Sequence, residues 1–326
     1  MKAKLRRYLL PAALVLALSN FAMAQETTHR PAPPPENITV TGIKDMEAAV
    51  KKFVGAMTVP TRVAEKLARW KTGVCPITAG LRPEIAAFVS KRVKDIAAQV
   101  GAPVDDKESC KPNIEIVFTT TPQALLDNVR ILYPLVLGYH DNSAQAERLA
   151  TVTRPIQAWY TTATQDLHGN PQVDGARTPG VTMQIMIEGL APPGTPPAPP
   201  ISTTLNYPGA GIYNVTGNRL GDGLSSVFTH VLIAAEPAKL LDHEVGTLAD
   251  YIAMLALSQI SSLDSCQELP SILNLLVPDC SRTANALTAV DIAYLRGLYK
   301  MSPTADFRVQ RSEMMYQMGK SLGAQQ

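Results

Sequence analysis

His243 and Glu244 are the residues of this chain whose types and order come nearest to metal-assisted hydrolysis. An imidazole is followed directly by a carboxylate at the head of an apolar run that ends near Ile260. On a helix, a second imidazole four residues on would share the first one's face, with Cβ atoms roughly 5–6 Å apart. Such a pair grips one Zn²⁺ while the intervening Glu serves as general base. In the run His243-Glu244-Val245-Gly246-Thr247 the fifth residue is Thr, so the general-base position and one ligand position are kept and another ligand is lost. Asp250 falls on the face expected for His243, seven residues on. At 1.5 Å per residue the two are about 10 Å apart. They are too far apart to share an ion easily, and a solvated or capping role is expected for Asp250.

Further runs extend the pattern. Pro270-Ser271-Ile272-Leu273-Asn274 and Leu287-Thr288-Ala289-Val290-Asp291-Ile292-Ala293-Tyr294-Leu295-Arg296-Gly297-Leu298-Tyr299 follow, and Val227 to Ala234 precedes His243 as a strand-like run. Together these resemble the metzincin peptidases of the matrixin type. Those have His-Glu-x-Gly-His-x-x-Gly-x-x-His, then a turn of the form Ser-Ile-Met-x-Pro, then a last helix Leu-x-x-x-Asp-x-x-x-Leu-x-x-Leu-Tyr. The resemblance covers about Val227 to Tyr299 well and the earlier chain in outline. It puts Leu273 at the Met-turn position, Thr247 at the second ligand, Asp250 at the helix-breaking Gly and Ala253 at the third ligand. It therefore implies a zincin fold whose metal site is degenerate. His243 becomes a vestigial ligand position, Glu244 a vestigial general base, and no cofactor is expected. The alternative is an active peptidase with an atypical zinc site built on His243 and Glu244. A third reading is an envelope interaction module of merely similar fold.

Other candidate chemistry is weaker. His230 sits in an apolar strand and reads as a hydrogen-bonded core histidine. His140 and His168 lie in loops without acids or cysteines at ligand spacing, and His29 lies in a linker. Gly217 to Gly223 lacks the Lys-Ser/Thr and the following helix that a phosphate loop needs. Ser225-Ser226 has no nucleophile-elbow context. The Met314, Met315 and Met318 stripe reads as a packing surface.

The N-terminus reads as an export signal. Lys2, Lys4, Arg6 and Arg7 precede the apolar run Leu9 to Leu18, and Ala22-Met23-Ala24 fits a small-x-small cleavage site. Those four charges make the formal +2 misleading, since without residues 1–24, which hold no acid, the chain carries 2 − 4 = −2. A periplasmic or secreted location follows, with no integral membrane segment once the signal is cleaved. Export gives the four cysteines meaning. Sequential proximity favours Cys75–Cys110 and Cys266–Cys280 over the other pairings. No basic run outside the N-terminus and no basic-aromatic interleaving points to nucleic acid. The expected partner is an extended peptide or an envelope protein. An extended peptide would add as a strand to the sheet edge at Val181 to Ile187, with Ile212 to Thr216 competing.

The elements that must position these residues give an α+β expectation: a zincin-like mixed sheet with long amphipathic helices, a small N-terminal helical extension and a C-terminal helix. The organisation is a signal over 1–24, a Pro-rich linker over 25–36, the main domain over 37–302 and the last helix over 303–326. A short β signal covers Ile38 to Thr41. Helices are expected at Asp45 to Met57, Arg82 to Val100 (Pro83 at its start, Gly101 as its stop) and Pro122 to Leu132. Strands are expected at Lys66 to Val74, Asn113 to Phe118 and Ile156 to Thr162. His168 to Gly180 reads as a turn-rich loop, and the run Ala191 to Pro200 as a solvent loop.

Overall fold

The structure is a computed structural model that describes residues 45–107, 109–175, 181–187, 201–207, 213–216 and 221–323. The export signal, the Pro-rich linker, the β signal at 38–41 and the loop at 191–200 lie outside the described residues. The class is mixed α+β, as the sequence indicates.

Helix α1 spans Met46–Met57, and its N-cap Asp45 accepts a hydrogen bond from the Ala48 N–H at 2.9 Å. The short strands β1 (Ala68–Arg69) and β2 (Pro76–Ala79) follow. The long strand expected over 66–74 is thus only two residues, and the core-sheet strand lies beyond it. Pro76 is at the first residue of an edge strand, a place where a missing N–H costs nothing. Helix α2 (Pro83–Val100) starts on Pro and ends on Gly101, which takes the left-handed conformation at φ 85°. Strand β3 (Ile114–Phe118), helix α3 (Pro122–Leu132), a 3₁₀ turn at Pro134–Leu137 and helix α4 (Ser143–Leu149) come next. Strands β4 (Ile156–Gln165) and β5 (Pro171–Val173) form an antiparallel pair, β5 falling inside the expected loop. Strands β6 (Val181–Ile187) and β7 (Ile201–Tyr207) pair with each other as a separate two-stranded sheet. Then come β8 (Ser225–Ala235), α5 (Val245–Leu257), α6 (Ala289–Lys300) and α7 (Phe307–Gly323).

The main sheet runs β2-β3-β8-β4-β5, with β1 also on β8. Strands β1, β2, β3 and β8 are parallel, while β4 is antiparallel to β8. The period of two along each strand divides the core. Ile114, Ile116, Val231 and Ile233 face the larger cluster, built with α1, α2, α5, α6 and α7. Val117, Leu232 and Ala234 face the smaller one, built with α3, α4 and the 3₁₀ turn. Every residue from Thr247 to Leu257 is buried, so α5 is a central helix with no solvated stripe. The N-terminal helix joins the main body through Phe53, whose ring meets that of Tyr294 edge-on at 5.8 Å. Met314 and Met318 of α7 are fully buried and Met315 partly, as the packing reading of that stripe expects.

Cys75–Cys110 and Cys266–Cys280 are disulfides with Cα separations of 6.0 and 5.4 Å. Both pairings are those favoured by proximity, and they suit an oxidising compartment. Among the described residues no helix is long and apolar enough to cross a membrane.

Candidate functional site

The N-terminal end of α5 carries the residues singled out by the sequence. The helix begins at Val245, so His243 and Glu244 precede it. Glu244 is the N-cap, with extended backbone at φ −69° and ψ 146°, and its side chain makes no cap hydrogen bond. His243 is held through its backbone, the N–H donating to the Leu240 carbonyl at 3.1 Å. An imidazole outside the helix does not share a face with the residue four on, so the chelating geometry of the motif is not formed.

The aligned positions further along α5 serve packing. The Thr247 hydroxyl donates to the Asn285 carbonyl at 2.7 Å, and Ala253 is wholly buried. Asp250 is not solvated and caps nothing. It is buried and receives Arg92 of α2 through two nitrogens, at 2.5 and 3.1 Å, and the Leu287 N–H at 2.9 Å. The hydrogen bonds from Asp250 hold the Arg92 proton more firmly than usual, against the desolvation that opposes it. The expectation failed because a lone acid in an apolar helix was read without its partner, which lies 158 residues earlier. These donors do not fit a zinc site. A zinc site needs three protein ligands, and here two of the three positions are a hydrogen-bonded Thr and a buried Ala. Among the described residues no group of three or more His, Cys, Asp or Glu stands together as metal ligands would.

The two motif segments after α5 do meet. Ile272–Asn274 forms a 3₁₀ turn with Leu273 buried beneath it. The Asp291 carboxylate of α6 accepts from the Ser271 hydroxyl, from the Ile272 N–H at 2.9 Å and from Thr288, which it joins in a capping box. The Asn274 amide ties the same turn to the Arg282 carbonyl at 2.9 Å. His230 is buried as expected. Its ring nitrogens, however, have no hydrogen-bond partner among the described residues, and Glu115 of β3 lies nearest at 3.5 Å. Glu115, an acid amid Ile114, Ile116 and Val117, is a buried polar residue that the sequence reading missed.

The C-terminal end of α5 borders the site with open chemistry. A groove of about 410 Å³ runs along the outer edge of β4. One wall is Pro60 to Arg62 with Leu255, Gln259, Ile260 and Leu263; the other is Leu137 to Tyr139 and the segment from Arg148 to Arg154. Strand β5 covers β4 only at residues 163–165. Within the preceding stretch, Pro155 accepts from the Glu236 N–H on the β8 side and Thr162 accepts from Asp174 on the outer side. Alternation therefore turns the N–H and C=O of Ala158 and Tyr160 outward. Among the described residues neither has a backbone partner there. Gly138, at φ 90°, lets the opposite wall come close: a Cβ there would stand 2.6 Å from the Tyr160 carbonyl oxygen. The Tyr160 hydroxyl donates to the Leu255 and Ser258 carbonyls at 2.9 and 3.1 Å, fixing β4 to the end of α5. Burial pushes that phenol above its ordinary value. The Gln259 side-chain oxygen is buried without a hydrogen-bond partner among the described residues.

The expected edge, Val181 to Ile187, is not in the main sheet: among the described residues its strand partner is β7 alone. The free edge of the main sheet beside α5 belongs to β4 instead. Of the competing run, 213–216 carries no strand and the rest lies outside the described residues. Comparison with known protein families, with curated proteins and with solved structures finds no match.

Proposed function

We propose that this is an exported protein of zincin-like ancestry that has lost the catalytic metal and binds an extended peptide or partner segment without cutting it. The observation that carries the reading is the outer edge of β4 at Ala158, without a backbone partner among the described residues, opening into a groove of about 410 Å³ beside α5. That volume is within the range of sites that hold small ligands or a short stretch of peptide. Strand addition draws on main-chain hydrogen bonds and side-chain pockets, so it needs no metal. Periplasmic or secreted placement is supported by the Lys2 to Ala24 signal pattern and by the two disulfides. The loss of catalysis is supported by Thr247, Ala253 and the position of His243 ahead of the helix.

The test is fluorescence anisotropy of the mature chain with labelled β-prone peptides and the same peptides N-methylated at alternate amides. Binding that N-methylation removes, with no cleavage by mass spectrometry, is the expected result. Near-stoichiometric zinc after dialysis that His243→Ala removes, together with cleavage that Glu244→Gln stops, would replace this reading with the peptidase. No binding of any peptide would end it.

A further inference from the structure

We propose that the β4 groove selects extended segments carrying adjacent carboxylates, an inference that rests on the peptide-binding reading above and adds its specificity. The residues lining the groove include Arg62, Arg148 and Arg154 and no Asp or Glu. Arg154 is already held, its Nε and Nη2 reaching Asp264 at 3.0 and 2.6 Å. Arg62 and Arg148 are exposed, and among the described residues they make no ion pair or side-chain hydrogen bond. On a chain whose charge without the signal is −2, a groove whose charged lining residues, among the described ones, are all arginines is a local excess.

The two free arginines lie on opposite walls. Arg62 follows the Thr58–Ile260 bridge and stands with the end of α5, on the side of the larger core. Arg148 is in the last turn of α4, which is tied to β4 by the Trp159 indole N–H donating to the Leu149 carbonyl at 2.6 Å, on the side of the smaller core. A strand added to β4 turns successive side chains to opposite faces. Two neighbouring acidic residues would therefore face the two guanidiniums, one on each wall. Guanidinium suits carboxylate because its planar fork offers two parallel N–H donors. The main chain of the incoming strand would meet the outward N–H and C=O of Ala158, because Gly138 already packs on the Tyr160 carbonyl oxygen.

The experiment uses the mature chain and labelled peptides of one β-prone sequence with a central Asp-Glu pair, its Asn-Gln isostere, or a Lys-Lys pair. Each is titrated by anisotropy against the wild type and against Arg62→Gln/Arg148→Gln. At low salt the acidic peptide should bind roughly tenfold tighter than its amide isostere, as two exposed ion pairs allow. That advantage should shrink as salt is raised and vanish in the double variant, while the amide peptide binds both proteins alike. Equal binding of acidic and amide peptides to the wild type overturns the charge selectivity and leaves the groove reading standing. An acidic advantage that persists in the double variant overturns the assignment to these arginines. Binding of none of the three peptides overturns the peptide-binding reading itself.

Discussion

The two ends of α5 are opposites. Its N-terminal end carries the motif residues, yet His243 in a bend and Glu244 in extended backbone both precede the first helical turn, and Leu241 and Val245 beside them are exposed at 82% and 39%. Its C-terminal end has no motif, yet it borders a groove where, among the described residues, strand groups, a buried amide oxygen and two arginines lack partners. A spacing rule for chelation holds only where both residues are helical, and a boundary two residues further along voids it. Conversely, the groove includes outward main-chain groups of β4, which every residue possesses and no side-chain pattern reports.

The largest expected effect lies between the two ends. Asp250→Ala leaves Arg92 uncompensated and the Leu287 N–H unpaired, so unfolding in urea should show a loss of about 3–5 kcal/mol. A loss under about 1 kcal/mol would mean that Asp250 is not the structural anchor that separates the ends. Removing the disulfides comes next. Chain-entropy reasoning assigns roughly 4 kcal/mol to Cys75–Cys110 and roughly 3 kcal/mol to Cys266–Cys280, which close separations of 35 and 14 residues. Because Cys266–Cys280 is near the end of α5 in the chain, its removal should also weaken peptide binding. Removal of Cys75–Cys110 should lower stability with affinity unchanged, and equal affinity losses would erase the distinction.

Tyr160→Phe sharpens the comparison further. It strands the Leu255 and Ser258 carbonyls and should cost about 1–2 kcal/mol in a thermal melt, together with a measurable drop in peptide affinity. The smallest effects belong to the N-terminal end. Glu244 makes no cap bond, so Glu244→Ser should raise stability by up to about 1 kcal/mol, and His243→Ala should stay within about 0.5 kcal/mol. Destabilisation by Glu244→Ser would show that the carboxylate has a role the geometry does not reveal.

Much of the fold was legible because its signals are local. Pro83 and Gly101 bound α2 and Pro122 opens α3; each acts through its own backbone. The strands β3 and β8 were legible from β-branched runs. The site was less so. Nothing in Val181 to Ile187 distinguishes a strand that joins the main sheet from one that pairs with Ile201–Tyr207 alone. The free edge of β4 is a fact about what β5 fails to cover, and the Asp250–Arg92 pair joins helices far apart in sequence. The sheltering of Glu115 against His230 likewise needs the register of β3 on β8.

The open edge of β4 has a consequence for colony behaviour among copies of the same chain. An unpaired strand edge is a template for self-association, and proteins blunt such edges with charge. A second copy approaching by the same edge would bring another Arg62 and Arg148 to the seam, with no acid lining either side to receive them. Like charges at a forming contact oppose it. The cations proposed to receive an acidic strand would thus also discourage a homotypic one, leaving the groove open without turning the protein into its own ligand.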